Sequence, residues 1–223
     1  MILLSLLGSV ISVANANPSL MIGTDVPYQV NLGAAYDAGP VRFSFRSGIL
    51  AGPYSTLTLS IVEMLGTDEV YINLLEASYQ FGSMNSLGTQ YMFGQKKRWQ
   101  IGTEFRFDYL FASETPEELI DAVTGESSTP SGPFIAERNI EMSLMMYAIG
   151  LRFGREFVVG KDEHHSFLIE FSLFKHFSTV TRLNINGEYA ERLTDSLDTL
   201  LWEEVFLPYG YLGGVGLNYK YTF

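Results

Sequence analysis

A histidine, a serine and a carboxylate stand close together late in the chain, at His176, Ser178 and Glu188. A serine hydroxyl becomes a nucleophile when an imidazole within reach takes its proton and an acid holds that imidazole in place. In such an arrangement Ser178 attacks, His176 is the base and Glu188 orients it. If 176–178 is extended chain, period-2 geometry puts His176 and Ser178 on one face. Three residues match by chance easily, and the expectation is a protein without enzyme activity, this trio being the candidate for the opposite. His164 and His165 are adjacent, but no third ligand is nearby and a solvated pair is expected. No glycine-rich phosphate loop, zinc signature or aspartyl dyad occurs, so neither metal nor other cofactor is expected. Cysteine is absent, which excludes disulfides and thiolate sites.

The remaining chemistry-bearing groups follow a period of two. Residues 41–49 alternate Val41, Phe43, Phe45 and Ile49 with Arg42, Ser44, Arg46 and Gly48. Residues 99–111 set Trp99, Ile101, Phe105, Phe107, Tyr109 and Phe111 against Gln100, Gly102, Glu104, Arg106 and Asp108. This is the pattern of strands with one apolar and one polar face. The same rhythm recurs at 19–25, 28–36, 81–93, 145–153, 167–173 and 209–223, which makes eight strands. Residues 51–80, 112–138 and 178–207 interrupt it. A helix is expected from Thr67-Asp68-Glu69 toward Leu74 and Leu75, another from Thr115-Pro116-Glu117-Glu118, and a third over 188–204. Residues 56–62 fit strand and helix equally.

The composition fixes where such strands lie. The 223 residues include 16 Phe, 13 Tyr and 21 Gly, with only 17% charged, against about 25% in soluble domains. No apolar run reaches the ~18 residues that a spanning helix needs. A chain that enters lipid without spanning helices must close its sheet into a barrel, because lipid cannot satisfy open strand edges. Counting connections along eight strands puts 26–27, 51–80, 112–138 and 178–207 at one end. The short turns at 37–40, 94–97 and 154–164 fall at the other, the asymmetry of outer-membrane barrels. Eight strands enclose an interior that side chains just fill, so the large aromatic face is expected outside, in lipid. Arg42, Arg46, Glu104, Arg106, Asp108, Arg152 and Glu170 are then expected inside as a network of ion pairs that plugs the lumen. A selective pore or proton path is the competing reading of the same charges.

The start and the end carry further signals. Residues 2–14 are an apolar run followed by Ala14-Asn15-Ala16, so residues 1–16 read as a secretory signal and 17–223 as the barrel. The last strand, 209–223, reads YGYLGGVGLNYKYTF, with Tyr219, Tyr221 and Phe223 on its apolar face. It resembles the closing strand of bacterial outer-membrane β-barrels, and the chain is similar to the small OmpA/OmpX-like porin-family type, in a Bacteroidota style. The resemblance implies an all-β, eight-stranded antiparallel transmembrane β-barrel with short helices in long extracellular loops, located in the bacterial outer membrane. It also implies that Tyr219, Tyr221 and Phe223 are read by the barrel-assembly machinery. Separately, His176, Ser178 and Glu188 resemble the His-x-Ser pair and downstream acid of outer-membrane lipid A deacylases, with Thr179 where that family usually has Asn.

The three long loops hold sixteen Asp or Glu against Arg138, Arg182 and Arg192, more negative than the whole chain's −11. That charge argues against nucleic acid as a partner. Outer-membrane lipid and lipopolysaccharide are expected partners, through divalent cations on the acidic rim, and a protein partner at the loops is a further expectation. The function expected is envelope structure, adhesion or docking. A lipid A deacylase-like esterase and a subunit of a larger envelope transport complex are the alternatives.

Overall fold

The computed structural model describes residues 16–50, 52–64, 66, 72, 81–114, 140–184, 199 and 211–223. Eight strands form one closed antiparallel barrel in chain order. They are β1 (Ala16–Val26), β2 (Gln29–Ala38), β3 (Val41–Leu50), β4 (Phe81–Phe93), β5 (Trp99–Glu114), β6 (Ile140–Val159), β7 (His165–Asn184) and β8 (Tyr211–Thr222). Closure is made by β1 against β8, from Ser19 opposite Thr222 to Val26 opposite Val215. No strand in the wall is left as an edge, so the ladder satisfies the backbone groups that lipid cannot.

Alternation decides which side chain meets which medium. On β3, Phe43, Phe45 and Ile49 are exposed on the outside while Arg42, Ser44 and Arg46 are buried inside. Leu20, Leu32, Leu87, Phe105, Leu151, Phe171, Val215 and Leu217 continue the exposed apolar face around the barrel. Tyr28 departs from the alternation of 28–36. It lies in the turn before β2, and its ring is buried in the barrel rather than set on the outer face.

The strands are unequal. β2 and β3 have 10 residues each, whereas β5 has 16 and β6 and β7 have 20 each. At the short-turn end they finish together, with Trp99 opposite Arg155 and Val159 opposite His165. The extra length therefore projects at the other end, where the long connections leave. A strand crosses a bilayer in ~9–11 residues, so the upper parts of β5, β6 and β7 stand clear of it. The sequence expectation stopped these strands too early. Strand β6 runs past Gly154 to Val159, and β7 runs past Ser178 to Asn184, so 178–184 belong to the wall and not to a loop. Period-2 alternation weakens there because the segment needs no lipid-facing side.

Of the undecided stretch 56–62, the outcome is helix: α1 spans Pro53–Met64. Pro53 suits a first helical position, where its missing N–H costs nothing. The helix is fastened to the β1–β2 turn, Tyr54 Oη lying 2.6 Å from Thr24 Oγ1 and Thr58 Oγ1 donating to Pro27 O at 3.0 Å. The secretory signal up to residue 15 lies outside the described residues. So do the helix expected from Thr67 toward Leu74 and Leu75, residue 72 apart, the one expected to start at 115–118, and nearly all of the one at 188–204, including Glu188.

Candidate functional site

The interior is built from every strand of the wall. The side chains that converge there fall into three layers, described from the short-turn end upward.

In the lowest layer Arg42 of β3 grips Asp37 of β2 through Nε at 2.6 Å and Nη2 at 2.8 Å, and reaches Glu156 of β6 at 3.0 Å. Lys220 of β8 meets Glu156 at 2.6 Å, and Ser166 donates to the same carboxylate at 2.8 Å. Arg42 Nη1 also donates to Gln100 Oε1 at 2.8 Å. Gln100 Nε2 then donates to Glu170 Oε1 at 2.8 Å, which ties this layer to the next.

The central layer holds Arg46 and Arg152 with Asp25, Glu104 and Glu170. Arg152 forks onto Glu104 at 2.6 and 3.0 Å and onto Asp25 at 3.2 and 3.4 Å, and touches Glu170 at 3.2 Å. Arg46 donates to both oxygens of Glu170, at 2.9 and 2.6 Å. Asn218 adds a donor to Glu170 at 3.0 Å, and Asn31 and Gln29 add donors to Asp25 at 3.3 and 3.5 Å. Forked guanidinium–carboxylate geometry is what makes a buried charge tolerable. Gly216 is required here because the Asp25 carboxylate rests where its Cβ would stand.

The upper layer is partly aromatic. Arg106 donates from Nε to both oxygens of Asp108 at 2.9 Å. Its guanidinium lies 4.2 Å from the centre of the Tyr28 ring and 5.0 Å from that of Phe174. Tyr28 Oη crosses to donate to Gly213 O at 3.1 Å. His176 is buried beside this layer, with Nε2 3.9 Å from Asp108 Oδ2.

All seven charges singled out in the sequence, Arg42, Arg46, Glu104, Arg106, Asp108, Arg152 and Glu170, are brought together inside. Sequence reasoning missed Asp25, Asp37, Glu156 and Lys220 as their partners. Parity was the available signal for two of these. Glu156 stands four residues from Arg152 and Lys220 two from Asn218, so each shares the inward face of its strand. Asp37 and Glu156 lie in the stretches 37–40 and 154–164, whose sequence reads as turns.

The candidate nucleophile and base are separated. The ladder between β6 and β7 slips at Tyr147/Ala148, so that Ala148 pairs with His176 and Tyr147 with Ser178. Phe177 is the extra residue of a β-bulge, which reverses the facing of everything beyond it. His176 therefore points inward with Ala148, while Ser178 shares the outer face of Tyr147, whose ring packs on Phe105, Phe107 and Phe177. The expectation of one shared face fails because a bulge cannot be read from alternation. At the short-turn end, His164 Nδ1 lies 2.7 Å from Thr222 O and the ring stacks on Tyr221, while His165 stacks on Tyr219. Tyr221 in turn meets Phe223 edge to face at 5.2 Å. The histidine pair thus belongs to an aromatic cluster on the outer wall.

A closed wall with an apolar exterior and an ion-paired interior inverts a soluble protein, and it defines an integral β-barrel of the outer-membrane type. No protein-family model and no curated protein matches the chain. Among solved structures it is similar to Acinetobacter baumannii CarO, at 11% identity over 93% of this chain and 97% of that one, with a TM-score of 0.40. It is similar to a major outer membrane protein from Thermus thermophilus, at 11% identity over 94% and 100%, with a TM-score of 0.48. It is also similar to Neisserial surface protein A, at 9% identity over 93% and 94%, with a TM-score of 0.38.

Proposed function

We propose that this chain is a non-conducting barrel of the bacterial outer membrane, an anchored platform that serves envelope structure, adhesion or partner docking through its outer connections. The observation that carries the reading is the three-layered interior: ion pairs and rings span the lumen from β1 across to β5, β6 and β7. An eight-stranded wall leaves no aqueous channel once its interior is filled this way. The raised ends of β5, β6 and β7 agree with it, because wall that extends beyond the bilayer serves presentation rather than anchoring. The acidic sequence of the long connections suits a basic partner, or divalent cations shared with lipid phosphates.

Planar bilayers with the purified protein test closure. The expected outcome is no stable conductance step in concentrated KCl, whereas reproducible unitary steps would replace the platform reading with a pore. Replacing residues 115–139 with a short glycine-serine turn tests the rest. The barrel is expected to assemble and cell-surface adhesion to fall.

A further inference from the structure

The helix α1 stands outside the wall, and its surface divides into rows of residues three or four apart, which share a helix face. Tyr54 and Thr58 form the row that holds it. The Tyr54 hydroxyl meets Thr24 Oγ1 at 2.6 Å, and Thr58 Oγ1 donates to Pro27 O at 3.0 Å. Leu57, Ile61 and Met64 form a second, apolar row. Leu57 is 41% and Met64 83% exposed, with Ile61 half-buried between them. Thr56, Ser60 and Glu63 form a third row, polar and exposed. Glu63 is the one charged residue of the helix. A helix surrounded by water buries its apolar row on its own protein; here Leu57 and Met64 stay uncovered.

The attachment shows which medium lies beside that row. Thr24 belongs to the outer face of β1. Its neighbours on that face, Ile22 and Val26, are exposed, while Met21 and Asp25 point inward and are buried. Its ladder partners, Val30 of β2 and Leu217 of β8, are exposed apolar residues as well. Tyr54 therefore reaches the outside of the barrel, at the rim of the lipid-facing belt, and not its mouth.

The height agrees. Strands β1, β2 and β3 have 11, 10 and 10 residues, close to the ~9–11 that a single crossing takes. The β1–β2 turn and the helix fastened to it thus lie at the bilayer surface. Across the barrel β5, β6 and β7 rise clear of it, and a helix hung from their ends would meet water.

We propose that α1 is an interfacial helix, whose Leu57–Ile61–Met64 row enters the lipid leaflet at the long-connection end and takes acyl chains as its partner. The row continues the apolar belt of the wall sideways, and Thr56, Ser60 and Glu63 lie among headgroups and water. Such a helix lies in the plane of the interface, with its apolar face ~5–10 Å into the headgroup–acyl boundary. With one carboxylate and no basic residue, α1 gains nothing from anionic headgroups. Apolar contact and the two hydrogen bonds to β1 and its turn hold it, and the low side of the wall is pinned at the lipid surface.

The test exploits the absence of cysteine, which lets one introduced thiol carry a bimane probe. Leu57→Cys and Met64→Cys sample the two ends of the apolar row, Ser60→Cys samples the polar row, and Ile22→Cys on the belt is the reference for lipid contact. Each labelled chain is refolded into dioleoylphosphatidylcholine vesicles with spin-labelled phosphatidylcholine, and its compact unheated gel band confirms the barrel. Probes at 57 and 64 are expected to be quenched most by a spin label ~5–10 Å below the phosphate, and to resist iodide in the water. The probe at 60 is expected to respond to iodide and little to the spin-labelled lipid. Probes at 57, 60 and 64 all open to iodide and untouched by lipid overturn the proposal, since the helix then lies in water. Probes at 57 and 64 shielded from iodide yet untouched by lipid overturn it too, because protein then covers the row. So does shielding that disappears when vesicles carry single barrels, which would assign the row to a second copy of the chain.

Discussion

Phe45 and Arg46 are chain neighbours in opposite solvents. The phenylalanine is 47% exposed on the outside of the barrel and the arginine 1% exposed inside it. One wall thus separates two regions with opposite rules. Outside, any apolar residue is acceptable and a charge is costly, because lipid has nothing to pair with it. Inside, a charge is acceptable as long as its partner stays. A substitution should therefore be judged by what it leaves behind on its own face, and not by hydrophobicity.

The largest effect should come from the inside. Arg152→Met removes the guanidinium shared by Glu104, Asp25 and Glu170 and leaves three buried carboxylates with Arg46 alone. Stranding buried partners costs about 3–5 kcal/mol. Urea unfolding of the refolded protein in detergent is expected to show it, with part of the loss recovered when Glu104→Gln is added. Wild-type stability in Arg152→Met would break the comparison at its root.

Next comes the outside. Phe171 is 58% exposed and pairs with Phe153 and Val215 in the apolar belt. Phe171→Arg places an unpartnered charge there, at about 2–4 kcal/mol near the midplane. The same unfolding assay in lipid vesicles measures it. If this substitution costs nothing while Arg46→Phe is also tolerated, the two faces have been assigned the wrong way round.

How far the sequence disclosed this architecture depends on the same two faces. Strict alternation at 41–49 and 99–111 was enough to sort Phe43, Phe45, Phe105 and Phe107 from Arg42, Arg46, Glu104 and Arg106, since a barrel wall has no third option. The number of strands followed from the recurrence of that rhythm, and their sense from counting the long and short connections between them. Three things did not follow. The bulge at Phe177 obeys the ladder of β6, which no local pattern announces, and it undid the pairing of His176 with Ser178. Tyr28 looked like the first residue of an outward row, but the turn swings its ring over Arg106. Asp37 and Glu156 sat among turn residues; the β2–β3 hairpin sets Asp37 directly opposite Arg42, while only the closed wall brings Glu156 to Arg42 and Lys220.

The smallest effect concerns an ion pair with no wall around it. Lys96 and Glu163 meet at 3.1 Å across two turns at the short end, and their side chains are 65% and 58% exposed. By distance alone this contact resembles Arg46–Glu170 at 2.6 Å, whose side chains are 2% and 0% exposed. The difference lies in the surroundings. Water already solvates Lys96 and Glu163, so their contact gains little attraction and loses side-chain freedom. Glu163→Gln strands no buried charge, because Lys96 simply returns to solvent. Its expected cost is within about 0.5 kcal/mol, and it should vanish in added salt. Glu170→Gln, by contrast, takes from buried Arg46 the carboxylate onto which it donates and is expected to cost several times more with little salt dependence. Measuring the two variants side by side in low and high NaCl isolates burial as the variable. Equal costs would mean that the interior is wet enough to screen its charges, and the ion layers would then no longer account for a closed lumen.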